Sequence, residues 1–389
     1  MSEQVSIAGT GMTSLKRRDL LPEELAMQAV SIALQNAGLE SRDIGLVVFA
    51  NALAGRLSDQ GCVRAQSWLS AAGLDHAGMV NVDNSCASGS TAVHVAYNSV
   101  KAGEAPVLVV GVEKMWTGDR NATINAIEDA LSAAERPGLR ADLAPTASGS
   151  VFMGFNAKWA NHQLAMRGTT VEEIAATAVK AHRLGVENPL AQYSTPITVE
   201  EVLQSRVVAA PLTRLMCSSF TDGGAAMVLS SNRSREWPLI RTSVLRSGTG
   251  QLEYHDRLGS TMEEALKASG IDRKDIDVLE IHDATSAEEL YALEALGFFQ
   301  EGEAGRATLA GDTLPGGSAV CVNPSGGLVA RGHPLAATGI CQIIELADQV
   351  TGHAGNRQQA GTRIGTAVNT GGIIAGDAAA TSINIVERA

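Results

Sequence analysis

The chain has no Cys-x-x-Cys pair, no phosphate loop ending Gly-Lys-Ser/Thr and no Gly-x-Ser-x-Gly elbow. These absences argue against a structural zinc site, a P-loop nucleotide site and a serine-hydrolase nucleophile. Gly9-Thr10-Gly11-Met12-Thr13-Ser14 approaches a dinucleotide fingerprint but carries Ser14 where the third glycine belongs, so NAD binding is not supported. No run of 18 uninterrupted apolar residues occurs, so no membrane-spanning helix is expected. A basic excess is also missing. The net charge is −12, the opposite of what a phosphate backbone attracts, and it excludes a general nucleic-acid binder. Aromatic residues make up only 4 %.

Glycine is abundant, with 40 residues, and alanine is plentiful. Small residues allow close backbone packing and tight turns beside ligands. Apolar residues reach 45 % over 389 residues, enough for a large core in two to three domains or one duplicated unit. Five scattered cysteines do not form a disulfide framework. The opening Met1-Ser2-Glu3-Gln4 has neither the basic nor the apolar region of a secretory signal, so a reduced, cytoplasmic protein is expected.

The sequence repeats itself. Ala33-Leu-Gln-Asn-Ala-Gly38 through Asp43-Ile44 to Phe49 aligns without gaps on Ala265-Leu-Lys-Ala-Ser-Gly270 through Asp275-Ile276 to Ile281, at an offset of 232 residues. Each copy reads as a helix closed by glycine, a turn with Asp, and a buried strand. Asp222–Ser230 and Gly376–Val386 read as matching terminal strands. Val80–Asp83, a helix from about Ala87 to Lys101 and a strand at Val107–Gly111 form one strand-helix-strand unit. Leu335–Val350 is the equivalent helix of the second half. The alternation predicts an α/β architecture with parallel strands and helices both between and outside the sheets. The expected division is 1–115, an insert at 116–215 that covers substrate, 216–236 completing the first half, and 237–389 as the second half. Thr169 or Thr170 is expected to cap a helix within the insert.

Chemistry concentrates in three places. Asn84-Ser85-Cys86-Ala87-Ser88-Gly89 puts a thiol at a strand-to-helix junction, where free backbone N–H groups and the helix dipole would lower its pKa and serve an oxyanion. His282 follows the strand Val278–Ile281. His333 closes the glycine-rich stretch Asn323-Pro-Ser-Gly-Gly-Leu-Val-Ala-Arg-Gly-His333-Pro334. Both sit where binding sites collect in parallel sheets, and either could serve a nucleophilic cysteine as base. Cys217 and Cys321 are expected to be core residues.

With Thr221-Asp-Gly-Gly-Ala-Ala and His282-Asp-Ala-Thr-Ser-Ala-Glu-Glu-Leu-Tyr added, these segments in this order resemble the thiolase superfamily, closest to the sterol-carrier-protein type, across nearly the whole chain. The resemblance implies a duplicated five-layered α-β-α-β-α fold, a homodimer, and coenzyme A as substrate with no tightly bound cofactor or metal. It implies Cys86 as the acyl-accepting nucleophile, His333 as its base, and His282 and His333 as donors to the second thioester oxygen. A further oxyanion hole would use the backbone N–H groups of Cys86 and Gly371. The implied reaction is thiolytic cleavage of a 3-oxoacyl-CoA or the reverse Claisen condensation, on a branched or aromatic chain such as benzoylsuccinyl-CoA. A small zinc-ribbon/OB-fold partner protein is a further implication.

The chain departs from that pattern at one function. The family's second cysteine, an acid–base at the thioester α-carbon, stands either in a C-terminal Cys-x-Gly or directly after His-Asp. Those positions hold Asn369 and Ala284. Proton transfer would then fall to His333, His282 or water. Two alternatives stay open: a ketosynthase-like decarboxylative condenser, in which loss of CO₂ makes the carbanion without a base, and a non-catalytic acyl-CoA-binding subunit.

Overall fold

The computed structural model describes residues 4–232, 234 and 236–389. The first three positions of the signal reading, and Arg233 and Arg235 inside the 216–236 segment, lie outside the described residues. In chain order the strands are β1 (Val5–Met12), β2 (Leu46–Ala50), β3 (Gly78–Val82), β4 (Val107–Lys114), β5 (Val207–Ala209), β6 (Leu212–Thr213), β7 (Asp222–Ser230), β8 (Leu239–Ser247), β9 (Val278–Ile281), β10 (Cys321–Val322), β11 (Ile364–Ile374) and β12 (Asp377–Glu387). Apart from the small β5–β6 ribbon they form one hydrogen-bonded sheet of ten strands, ordered β10-β9-β11-β12-β8-β1-β7-β4-β2-β3. Read outward from the β8–β1 junction, the order in one direction repeats the order in the other, so each half has the same five-stranded plan.

The internal repeat is exact in its local structure. The helix Pro22–Ala37 is closed by Gly38 at φ 66°, and the helix Tyr254–Ser269 by Gly270 at φ 70°. A one-turn 3-10 helix follows each, at Ser41–Asp43 and Arg273–Asp275, before β2 and β9. A positive φ closes both helices at little steric cost because glycine lacks a Cβ.

The expectation of parallel strands holds for only part of each half. β2 pairs in parallel with β3 and β4, and β9 with β10 and β11. β7 and β1 are antiparallel, as are β12 and β8. β11 and β12 are joined by a tight turn at Ala375–Gly376, which an antiparallel pair permits without a crossover helix.

Two helices lie between the halves. Ser88–Lys101 and Leu335–Thr351 touch each other and strands of both halves, and they share one apolar cluster that includes Ala92, Val93, Ile340 and Ile343. Their contact is set by glycine. A Cβ at Gly89 would sit 2.5 Å from the Ala336 carbonyl oxygen, and one at Gly111 2.4 Å from the same atom. A Cβ at Gly339 would meet the Ser90 backbone nitrogen at 2.6 Å. The near-fingerprint of β1 has a similar cause: Gly9 and Gly11 lie against the backbone of the helix Pro22–Ala37.

Residues 116–215 are more regular than their sequence suggests. They contain helices at Arg120–Ile127, Arg136–Leu143, Val151–Met166, Val171–Val186 and Val199–Gln204. Thr170 caps the fourth of these, accepting from the Glu173 N–H at 3.1 Å while Glu173 accepts from the Thr170 N–H. Ala160, Ile174, Ala175 and Ala178 of this stretch share a core with Leu258, Leu279 and Leu290 of the second half. The insert of the first half therefore packs on the second, and the space beneath it lies between them.

Replacing Gly89 by Ala sets helix propensity against packing. Propensity favours Ala by about 1 kcal/mol, and overpacking against a backbone carbonyl opposes it by about 1–3 kcal/mol. The expected outcome is a lower midpoint in urea unfolding, and an unchanged or higher midpoint would contradict the close helix contact.

Candidate active site

Cys86 occupies the one-turn 3-10 helix Ser85–Ala87, directly before Ser88–Lys101. The turn is built by its neighbours. Ser85 sits at φ 53°, a left-handed conformation rare outside glycine, and its N–H donates to the Asp83 carboxylate at 2.9 Å. The Ser88 hydroxyl accepts from the Asn84 N–H at 2.9 Å, and the Asn84 amide donates to Thr91 Oγ1 at 2.9 Å. Gly371 on β11 lies against this turn so closely that a Cβ there would be 2.1 Å from the Asn84 carbonyl oxygen. The Cys86 and Gly371 backbones therefore border the same space.

His282 and His333 meet above the thiol. Sγ of Cys86 and one nitrogen from each imidazole all lie within 4.8 Å of one another, and the two rings pack edge to face at 5.1 Å. The structure thus brings together the three residues that the sequence singled out from distant positions.

The loop that carries His333 is held by buried polar pairs. Asn323 accepts from the Ile281 N–H at 2.8 Å and donates to Glu289 at 3.0 Å, and Glu289 also pairs with the buried Lys180. Ser325 donates to Glu280 at 2.8 Å, and Arg331, fully buried, reaches the same carboxylate at 3.2 Å. Thr221 Oγ1 accepts from the His333 N–H at 2.8 Å, while Asp222 accepts from the Met115 and Trp116 N–H groups and pairs with Lys114 at 2.6 Å. The Asn-Pro-Ser-Gly-Gly and Thr-Asp-Gly-Gly motifs are thus the frame of the site.

Hydrogen bonding gives the two imidazoles opposite tautomers. Thr338 donates its hydroxyl to the Pro334 carbonyl at 2.9 Å, so it accepts from His333 Nδ1–H at 2.7 Å and leaves Nε2 with a free lone pair. Asn369 accepts from the Ser90 hydroxyl at 3.0 Å through Oδ1, which turns its NH₂ toward His282 Nδ1 at 3.0 Å. His282 must then carry its proton on Nε2. One ring is a base and the other a donor. With Nδ1 accepting from Asn369 and Nε2 protonated, His282 presents only a donor to the cavity.

Burial keeps the two imidazoles uncharged. It pushes the His282 pKa down to about 3 and holds His333 well below its ordinary value, with His282 and Arg331 adding to the effect on His333. The expected lowering of the Cys86 pKa is reversed. Loss of hydration pushes it up to about 12, and the carboxylates of Glu288 and Glu113 add to this, outweighing the Ser85 hydroxyl and the turn's N–H groups. Cys321 is buried as expected and Cys341 is buried too, while Cys217 is buried but also borders the cavity, with its thiol donating to the Thr213 carbonyl at 3.3 Å.

A cavity of about 380 Å³ opens over these residues. Its walls combine Phe152, Met153 and Trp159 of the insert with Ile373 of β11, and Trp159 stacks on Tyr254 at 4.5 Å. Four exposed guanidinium groups, Arg17, Arg120, Arg206 and Arg214, stand around it, with Arg17 over the Trp116 ring at 4.2 Å. The sequence did not reveal this basic mouth, because the four come from separate segments of an acidic chain. Nor does the sequence mark Glu288 and Tyr254, which are buried in the wall and joined by a 2.7 Å hydrogen bond. The only signal was a Glu-Glu pair directly after His282-Asp-Ala-Thr-Ser-Ala.

Residues 5–233 match the thiolase N-terminal domain, and residues 255–383 match the thiolase C-terminal domain-like family. An acetyl-CoA acetyltransferase of Methanothermobacter thermautotrophicus is 34 % identical over 95 % of this chain and 96 % of its own length. Sterol carrier protein 2 of Rattus norvegicus is 31 % identical over 95 % of this chain and 70 % of its own. The benzoylsuccinyl-CoA thiolase subunit BbsB of Thauera aromatica is 30 % identical over 88 % of each. Among solved structures, the Ltp2–ChsH2(DUF35) aldolase shares the fold with a TM-score of 0.81 over 99 % of this chain and 98 % of that one, at 23 % identity. The chain belongs to the thiolase family and is an acyltransferase.

A thiol with a pKa near 12 reacts in proportion to its small thiolate fraction. Iodoacetamide labelling of Cys86, followed by peptide mass, is therefore expected to speed up by about tenfold per pH unit from 7 to 10 without levelling off. A plateau below pH 8 would mean a preformed thiolate–imidazolium pair.

Proposed function

We propose that the chain is an acyl-CoA C-acyltransferase that works through an acyl thioester on Cys86, cleaving a 3-oxoacyl-CoA with free CoA or running the reverse condensation. The observation that carries this reading is the opposed tautomer pair beside the thiol. His333 Nε2, with a free lone pair, takes the Cys86 proton as sulfur attacks the 3-carbonyl carbon. The developing oxyanion meets the N–H groups of Cys86 and Gly371. When the bond between carbons 2 and 3 breaks, charge moves to the thioester oxygen of the leaving half, where His282 Nε2–H donates. A thiol that ionises only as it attacks avoids holding a charge in a buried site.

Coenzyme A is a substrate here, and its phosphates suit the mouth lined by Arg17, Arg120, Arg206 and Arg214. The insert, 116–215, covers the acyl chain. Its Phe152, Met153 and Trp159 favour a branched or aromatic acyl group, of which benzoylsuccinyl-CoA is one example. The reading includes a cytoplasmic homodimer and a small zinc-ribbon/OB-fold partner.

The test is the mass of the Cys86 peptide after incubation with a panel of acyl-CoAs. An acyl adduct that is lost in Cys86→Ala, together with a fall in turnover of at least about 10³-fold, supports covalent catalysis. Turnover that requires malonyl-CoA and releases CO₂ selects the decarboxylative condenser. No adduct from any acyl-CoA points to a binding subunit.

A further inference from the structure

The positions that usually hold the second thiol are occupied by Ala284 and Asn369, and the structure removes the obvious substitutes. Asn369 is fully engaged between Ser90 and His282, and an amide neither ionises nor takes up a proton near neutral pH. His282 has Nδ1 tied to that amide and stays neutral down to about pH 3. His333 is committed to the Cys86 proton. The Cys217 thiol faces a backbone carbonyl.

One acid remains on the cavity wall. Glu288 lies in the first turn of the helix Ser286–Ala295, which Thr285 caps, just past His282 and Ala284. The residue is 3 % exposed, and its carboxyl is aimed by two hydrogen bonds: Oε1 accepts from the Tyr254 hydroxyl at 2.7 Å, and Oε2 from the Ala284 N–H at 3.1 Å. Tyr254 also contacts Thr370 Oγ1 at 3.2 Å, next to Gly371. Ala284 ends at its Cβ, so the place of the absent thiol is open beside this carboxyl. Glu288, Ala284, Cys86, His282 and His333 border the same cavity.

We infer that Glu288 is the acid–base at the substrate α-carbon, replacing the family's second cysteine. This rests on the acyl-enzyme reading above. Burial raises its pKa to about 7, so both protonation states are available near neutrality. Tyr254, whose own pKa burial raises well above the ordinary phenol value, keeps its proton and acts as a positioning residue.

In cleavage, the bond between carbons 2 and 3 breaks, its electron pair enters the enolate, and protonated Glu288 gives its proton to carbon 2. The resulting carboxylate takes the thiol proton of incoming CoA, whose sulfur attacks the Cys86 thioester. Cys86 leaves as thiolate and regains its proton from His333. In condensation the same carboxylate removes the α-proton of the attacking acyl-CoA.

The experiment follows exchange of the α-hydrogens of acetyl-CoA with D₂O by mass spectrometry, beside the Cys86 acyl adduct. In Glu288→Gln the adduct is expected still to form, slowed by no more than about tenfold, because CoA can leave as a thiolate without an acid whereas the α-carbon cannot exchange its proton without a base. Exchange is expected to fall by about 10²–10⁴-fold. A side chain that merely held the helix would not separate the two readouts. Exchange within threefold of wild type in Glu288→Gln overturns the assignment, and so does a wild-type enzyme that is acylated but exchanges nothing. If Glu288→Gln does not fold, Glu288→Asp decides: an acid set back by one methylene should slow exchange at least tenfold with the adduct retained, and an unchanged rate overturns the assignment. Absence of any Cys86 adduct in the wild type refutes the acyl-enzyme reading instead.

Discussion

The backbones of the two central helices approach at Gly89 and Gly339 to a distance that no side chain would permit. Everything at the site follows from that approach. The first helix begins just after Cys86 and the second just after His333 and Pro334, so bringing their N-terminal ends together sets the thiol beside the imidazole. Gly111 lets β4 join the same contact, and Gly371 lets β11 lie on the Cys86 turn. At the centre of the molecule, glycine stands where backbone meets backbone. The few aromatic residues are free to cluster around Trp159, where a shaped apolar wall is needed.

Charge is handled by exclusion. The buried ion pairs Arg331–Glu280 and Lys180–Glu289 lie in the frame behind the reacting groups and fix the loop that carries His333. The reacting groups themselves are neutral at rest: a protonated thiol and two uncharged imidazoles held as different tautomers by Thr338 and Asn369. Asn369 illustrates a change of task. At a position where the family resemblance implies an acid–base thiol, it fixes the direction of a donor.

Much of this was legible in the amino-acid order, and the limits have physical causes. The helix-glycine-turn-strand repeat could be read at its offset because glycine closure and apolar periodicity are local. The antiparallel placement of β1 and β7 could not, since it depends on which strands meet after the insert. Cys86, His282 and His333 stood out by their junction and loop settings, and the structure brings them together. The direction of the Cys86 pKa is not legible, because a sequence shows the helix start but not the burial that outweighs it. Glu288 does not stand out, because an acidic pair in the first turn of a helix is ordinary capping chemistry, and only the fold turns that helix inward on every side. The arginines of the mouth are spread over some two hundred residues and converge only in space.

That mouth sits on a molecule with a net charge of −12. At physiological ionic strength screening sets in at about 8 Å, so neither field reaches far, and a group at the mouth meets the arginines rather than the acidic surface beyond them. A long polyanion extends beyond the mouth and is repelled along most of its length. A compact anion with a few phosphates would lie within the basic patch alone. Length would thereby sort charged ligands before any shape complementarity is tested.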